Sequence, residues 1–156
     1  DAEWAEKAKR ISEMALDITE LMARVGLAPK AGAVPRLRVA YHSACSMQHG
    51  QKITRAPMEL LEKAGFEVTG VPESHLCCGS AGTYNLLQPE IAGQLRARKV
   101  ANIESVSPDV ISAGNIGCMV QIAGGTGLPV VHTVHLLDWA SGGPAPDGLA
   151  GLGPRA

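Results

Sequence analysis

Aromatic side chains are almost missing from this chain: two Trp, two Tyr and one Phe in 156 residues. So few cannot build a base-stacking platform or an aromatic-lined groove. A surplus of one charge is missing too, since 14 Lys and Arg face 15 Asp and Glu. Proteins that bind nucleic acid by neutralising phosphates carry a strong basic excess, so nucleic acid is not an expected partner. No apolar run approaches the roughly 20 residues that cross a bilayer, so no transmembrane segment is expected. The chain starts at Asp1 and shows no basic start, apolar stretch and small-residue cleavage site. It therefore reads as an internal piece of a longer protein. Apolar content is plentiful, at 46% against 19% charged, which excludes global disorder. Its length suits one ordinary domain that buries its own core.

Periodicity places the elements. Ile11, Met14, Ile18, Leu21, Met22 and Val25 recur at spacings of three and four, so residues 3–25 read as one amphipathic helix within an N-terminal segment 1–26. Gly26 stands where a C-terminal cap is wanted, and residues 27–35 form a connector. From Arg36 strands and helices alternate. Leu37–Tyr41, Phe66–Val71, Val110–Ala113 and Leu128–Val131 read as strands. Helices are expected over 53–64, over 88–106, in a short stretch after GNIGC, and from a Thr133 cap through VHLLDWA. Strands separated by such helices imply parallel βαβ units. The expected fold is therefore α/β: Rossmann-like three-layer βαβ units around a four-stranded parallel sheet, with an extra N-terminal helix. Residues 1–140 read as a single domain with its α/β core at 36–140. Residues 141–156 hold five Gly and three Pro and are expected to be a mobile tail.

Four cysteines carry most of the chemical information: Cys45, Cys77, Cys78 and Cys118. Nothing in the sequence points to secretion, so metal binding or redox chemistry is favoured over disulfides. Adjacent cysteines can bridge each other only through a strained eight-membered ring, which argues the same way. On the expected topology, Cys45 follows the first strand, Cys77 and Cys78 the second, and Cys118 the third. All therefore fall at the C-terminal edge of a parallel sheet, where α/β folds bind ligands. Gly79, Gly82, Gly114 and Gly117 flank them and leave backbone N–H groups free to face an anion or cluster sulfurs. The bland alternative is four cysteines packed as small apolar side chains. Paired CxxC knuckles typical of zinc are absent, so iron–sulfur ligation suits the pattern best; zinc and a redox dithiol remain competing readings. The run Gly79-Ser80-Ala81-Gly82-Thr83 lacks GxGxxG spacing and a P-loop lysine, which leaves nucleotide binding a weaker alternative.

Thirty-one residues separate Cys45 from Cys77, and thirty-nine separate Cys78 from Cys118. This spacing around Cys77-Cys78-Gly79 resembles the cysteine-rich CCG domain. HGQK at 49–52, SHLCCGSAGTYNLLQPEIA at 74–92 and NIGC at 115–118 are similar to the C-terminal region of the glycolate oxidase (glycolate dehydrogenase) iron–sulfur subunit. The resemblance covers roughly residues 36–140. It implies an electron-transfer domain with an iron–sulfur cluster held by Cys45, Cys77, Cys78 and Cys118. It also implies flavin-containing glycolate oxidase subunits and the rest of a longer chain as partners, with electrons passing towards quinone. The location it implies is the cytoplasm, with any peripheral membrane association at the inner face. The fuller motif ends in CxxC, whereas this chain reads Cys118-Met119-Val120-Gln121. With a fifth thiolate missing, a four-thiolate [4Fe–4S] site is the more economical expectation. A structural zinc or subunit-assembly module of the same complex is the alternative, and the isolated fragment is expected to hold zinc or an empty site. His42, His49, His75, Gly79 and Gln121 are candidates for supporting the site. His132 and His135 lie beyond the fourth strand.

Overall fold

Val39, Tyr41, Val110, Ile111 and Val131 belong to short segments whose alternate side chains face opposite ways, and these segments pair into one sheet. In the computed structural model, which describes residues 1–30 and 32–151, β1 (Arg38–His42) lies between β2 (Glu67–Gly70) and β3 (Val110–Ala113). β4 (Val130–His132) adds beyond β3, so the order is β2-β1-β3-β4 and every pair is parallel. Both faces are covered, as a parallel sheet requires. On one face Val39, Tyr41, Val110 and Val131 pack with α3 (Ala56–Lys63) and α7 (Thr133–Ala140) through Leu60, Leu61, Leu136 and Leu137. On the other, Ala40 and Ile111 pack with α5 (Pro89–Glu104) and α6 (Ile116–Ala123) through Val100, Ile103 and Ile122. This is the expected three-layer α/β arrangement.

The N-terminal helix is not continuous. α1 (Ala2–Met14) and α2 (Ile18–Val25) are separated at Asp17, whose carboxylate accepts from the Thr19 N–H at 2.8 Å while Glu20 accepts from the Asp17 N–H at 3.0 Å. This reciprocal capping box starts a new helix. Apolar spacing alone cannot register it, because the stripe runs on through the break. α1 buries no residue, whereas α2 turns Met22 onto the α3 side of the core.

Other boundaries shift by physical detail. β1 runs one residue further than expected and so takes in His42. The 46–51 segment, expected as loop, is a π-helical turn that buries Met47, and α3 begins after it at Ala56. α4 (Tyr84–Leu87) is a single turn before α5. α7 is capped by His132, whose Nδ1 accepts from the Val134 N–H at 3.2 Å. Thr133 instead shares a 2.9 Å hydroxyl hydrogen bond with Ser112 of β3. Of the expected mobile tail, residues 152–156 lie outside the described residues. Leu149 is 1% exposed in the α3/α7 core, and Ala145 packs beside it. Leu149→Ala should therefore cost about 2 kcal/mol, a large-to-small core change near a chain end that can relax. Urea unfolding checks this; an unshifted midpoint would mean the segment contributes nothing.

Candidate metal centre

Because β1 sits between β2 and β3, the loops leaving these three strands are neighbours at one edge. The chain leaves β1 towards β2, and leaves β3 towards β4 on the opposite side, which opens a crevice between β1 and β3. Cys45 comes from the β1 loop, Cys77 and Cys78 from the β2 loop, and Cys118 from the first turn of α6. All four cysteines, with Ser80 and Asn115, line one cavity of about 200 Å³. All four are free thiols; Cys78 and Cys118 are buried, and Cys45 and Cys77 are half-buried at its mouth.

Local chemistry aims these groups. Gly79 has φ +93 and its N–H donates to Cys77 Sγ at 3.3 Å. Asn115 caps α6 by accepting from the Cys118 N–H at 3.2 Å. Glu73 sits at φ +50 four residues before Cys77. Its carboxylate accepts from Arg98 Nε and Asn102 Nδ2, both at 2.8 Å, and also from the Arg98 Nη2 group. The Arg98 hydrogen bond is the main reason its pKa falls to about 2. Lys99, 1% exposed, donates from Nζ to the Glu73 carbonyl at 2.8 Å. Three side chains of α5 thus hold the segment that presents the cysteine pair.

Electrostatics divides the thiols. A hydrogen bond from the Cys118 thiol holds Cys78 as a thiolate against its burial, with further contributions from His42 and the Ser80 backbone N–H, and its pKa drops to about 4. The Cys118 pKa rises, first because its proton is given to Cys78 and then because of burial. Burial and the neighbouring Cys77 and Cys78 push Cys45 up. Burial also lowers the Lys99 ammonium pKa, opposed by negative charge on Cys45, Cys78, Glu73 and Cys77.

These shifts set a pH dependence for the reduced, metal-free chain. Between about 4 and the ordinary thiol value near 8.5, the folded chain binds fewer protons at Cys78 than the unfolded chain. Stability from Cys78 therefore rises with pH across that window and is lost as pH falls through about 4. Cys118 and Cys45 carry the opposite sign, so their effect is to lower stability above the ordinary thiol range. The urea midpoint should be higher at about pH 8 than at about pH 5, with a shallower slope in Cys78→Ser. Equal slopes in the two chains would contradict the thiolate assignment.

The candidate supporting residues separate into two groups. His42 is 1% exposed, and one of its ring nitrogens lies with the Cys78 and Cys118 sulfurs in a set of atoms all within 4.8 Å of one another. Gly79 is buried beside Cys78. By contrast His49 and His75 are exposed, and His49 Nε2–H donates to the His75 carbonyl at 3.4 Å. Gln121 accepts from Asn85 Nδ2 at 3.2 Å and donates to the Ala92 carbonyl at 3.4 Å, which ties α4 and α5 to α6. Neither Gln121 nor His42 lines the cavity itself, but His42 lies against the inner sulfurs of Cys78 and Cys118. His132 caps α7. Ser80, Asn115 and Lys99 were missed. Asn115 had a readable signal, an Asn three residues before Cys118 at a helix start; buried Lys99 had none, since lysine on a helix normally marks the wet face.

A family model for the cysteine-rich domain named CCG matches residues 39–123, more than half of the chain, from the second residue of β1 to the end of α6. The chain belongs to the CCG cysteine-rich domain family. Among relatives of this CCG domain, the glycolate oxidase iron–sulfur subunit of Escherichia coli (strain K12) is 40% identical over 140 residues, covering 90% of this chain and 34% of that protein. Lactate utilization protein A of Bacillus licheniformis is 33% identical over 141 residues, covering 86% of this chain and 59% of that protein. Lactate utilization protein A of Shouchella clausii is 30% identical over 144 residues, covering 88% and 60% respectively. The chain thus spans about a third of the first relative and three fifths of the others.

The residues of this CCG domain fit a metal or iron–sulfur group by their own chemistry. Four soft sulfur donors converge on one cavity, the Cys78 pKa is lowered to about 4, and a buried imidazole stands beside Cys78 and Cys118. Among the described residues, no helix is long and apolar enough to cross a membrane.

Proposed function

We propose that this domain holds a [4Fe–4S] cluster on the thiolates of Cys45, Cys77, Cys78 and Cys118. In this reading it serves as an electron-transfer module of a glycolate-oxidising complex. The observation that carries the reading is the convergence of four free cysteines from three loops on one cavity. The likeness to a glycolate oxidase iron–sulfur subunit supports glycolate oxidation as the setting; in this proposal flavin-containing partner subunits oxidise glycolate to glyoxylate and electrons pass towards quinone at the inner face of the membrane. When bound, the cluster supplies one-electron storage. The chain's own part is to hold and screen it. Cys78 and Cys118 are sunk in the α5/α6 core, which limits solvent access to that side. Cys45 and Cys77 at the mouth leave the other side open for a redox partner to approach. The Gly79 N–H and the buried Lys99 ammonium offset part of the negative charge that several thiolates bring together.

The compact His42/Cys78/Cys118 group favours one second reading, a structural zinc module, because three donors so close suit a single ion. Redox behaviour separates the two. After anaerobic reconstitution with iron and sulfide, dithionite should bleach the visible charge-transfer absorption reversibly and produce a paramagnetic signal. A colourless, redox-silent chain that retains zinc would replace the electron-transfer reading with the structural one.

A further inference from the structure

His42 has an environment that the four-thiolate reading leaves unexplained. It closes β1, is 1% exposed, and its Nε2 is buried with no partner at full hydrogen-bond geometry, its one polar contact being the Cys78 sulfur whose pKa it helps to lower. A buried polar atom left bare costs about 1–3 kcal/mol, so such atoms usually have a partner that the protein itself does not provide. The neighbours that could define that partner are sulfurs: a ring nitrogen of His42 and the Sγ atoms of Cys78 and Cys118 all lie within 4.8 Å of one another. Tetrahedral sulfur and nitrogen donors, with bonds of about 2.3 and 2.0–2.1 Å, stand about 3.6 Å apart, so small side-chain rotations would bring this set onto one ion. The chain also lacks a thiol at 121, and Gln121 there is engaged by Asn85 and Ala92 instead.

We propose that His42 is a direct nitrogen ligand of the metal that Cys78 and Cys118 hold, supplying a donor that position 121 does not. This rests on the reading of the cavity as a metal centre. The other exposed or capping histidines offer no equivalent: His49 and His75 lie on the surface, and His132 spends its Nδ1 on the α7 cap. A neutral imidazole brings no charge where a thiolate would bring one negative charge. It therefore adds a donor without adding to the negative charge that the thiolates already bring together.

Cobalt(II) alone is the probe, because it reports its donors without needing sulfide. Wild-type chain titrated anaerobically should give intense sulfur-to-cobalt charge transfer. X-ray absorption of the same sample should show outer-shell imidazole scattering. His42→Ala should lose that scattering and weaken cobalt binding about 1,000-fold, more than the roughly 10–100-fold that follows loss of a group that merely orients a ligand. His42→Cys should restore tight binding with stronger sulfur charge transfer. Absence of imidazole scattering in the wild type overturns the proposal without any variant. Unchanged affinity and spectrum in a folded His42→Ala chain overturn it as well. Iron and sulfide uptake is scored separately. If the wild type takes up neither but the cobalt results hold, the cluster reading fails and His42 ligation stands. If it takes up both while the cobalt results fail, the reverse follows.

Discussion

Cys78→Ser should reduce the iron retained after anaerobic reconstitution to less than about a tenth of the wild-type amount, while the chain stays folded. Cys78 is the deepest of the four thiols at 1% exposed, and it lies close to both Cys118 and His42. It is also the thiol that the fold already holds as thiolate, with a pKa near 4. A serine hydroxyl keeps its proton and is a hard oxygen donor, so neither the charge nor the soft ligand survives. The folding cost is small by comparison. Burying one imperfectly paired hydroxyl costs about 1–3 kcal/mol, against a typical domain stability of about 5–15 kcal/mol. The two apolar clusters on either side of the sheet remain intact. Iron quantitation beside a melting curve checks both halves. Wild-type iron in the variant would remove Cys78 from the ligand set. A chain that unfolds at room temperature would make the site structural.

Gly79→Ala should be strongly damaging for a single added methyl, costing at least about 3 kcal/mol and lowering Tm by about 6–12 °C. Two effects add. Gly79 sits at φ +93, where a Cβ costs about 1–2 kcal/mol. The added methyl would then meet the Ala92 carbonyl oxygen at 2.4 Å and Gln121 Nε2 at 3.1 Å. The first of these is backbone within α5 and cannot rotate away. Gly82 supplies the control in the same loop: φ +67, but nothing within 4 Å of an added Cβ. Gly82→Ala should therefore show the conformational cost alone, about 1–2 kcal/mol. Equal melting temperatures for the two variants would mean that contact with α5 does not hold the cysteine pair in place.

The sheet was legible because its signals are local. Val110–Ala113 is short, buried throughout and opens on two β-branched residues, and Pro108 stands just before it. Parallel pairing then follows from the intervening helices. The convergence of Cys45, Cys77, Cys78 and Cys118 on one cavity was legible for the same reason, since strand ends in a parallel sheet share an edge. What escaped depends on competition between nearby groups. The Asp17–Glu20 capping box interrupts an apolar stripe that otherwise reads as one helix. His132 takes the α7 cap that Thr133 gives up in favour of Ser112. A one-residue extension of β1 put His42 on the strand face that looks towards α5 and α6, and no pattern in the sequence distinguishes it from His49. Lys99 is buried because the Glu73 carbonyl turns towards it at a positive φ, a backbone event that composition does not record.

Whether Cys45, Cys77, Cys78 and Cys118 together hold an iron–sulfur cluster is decided by the iron and acid-labile sulfide content of the wild-type chain after anaerobic reconstitution and desalting. A [4Fe–4S] site predicts about four iron and four sulfide per chain. Iron and sulfide near zero, with zinc near one per chain, would contradict it.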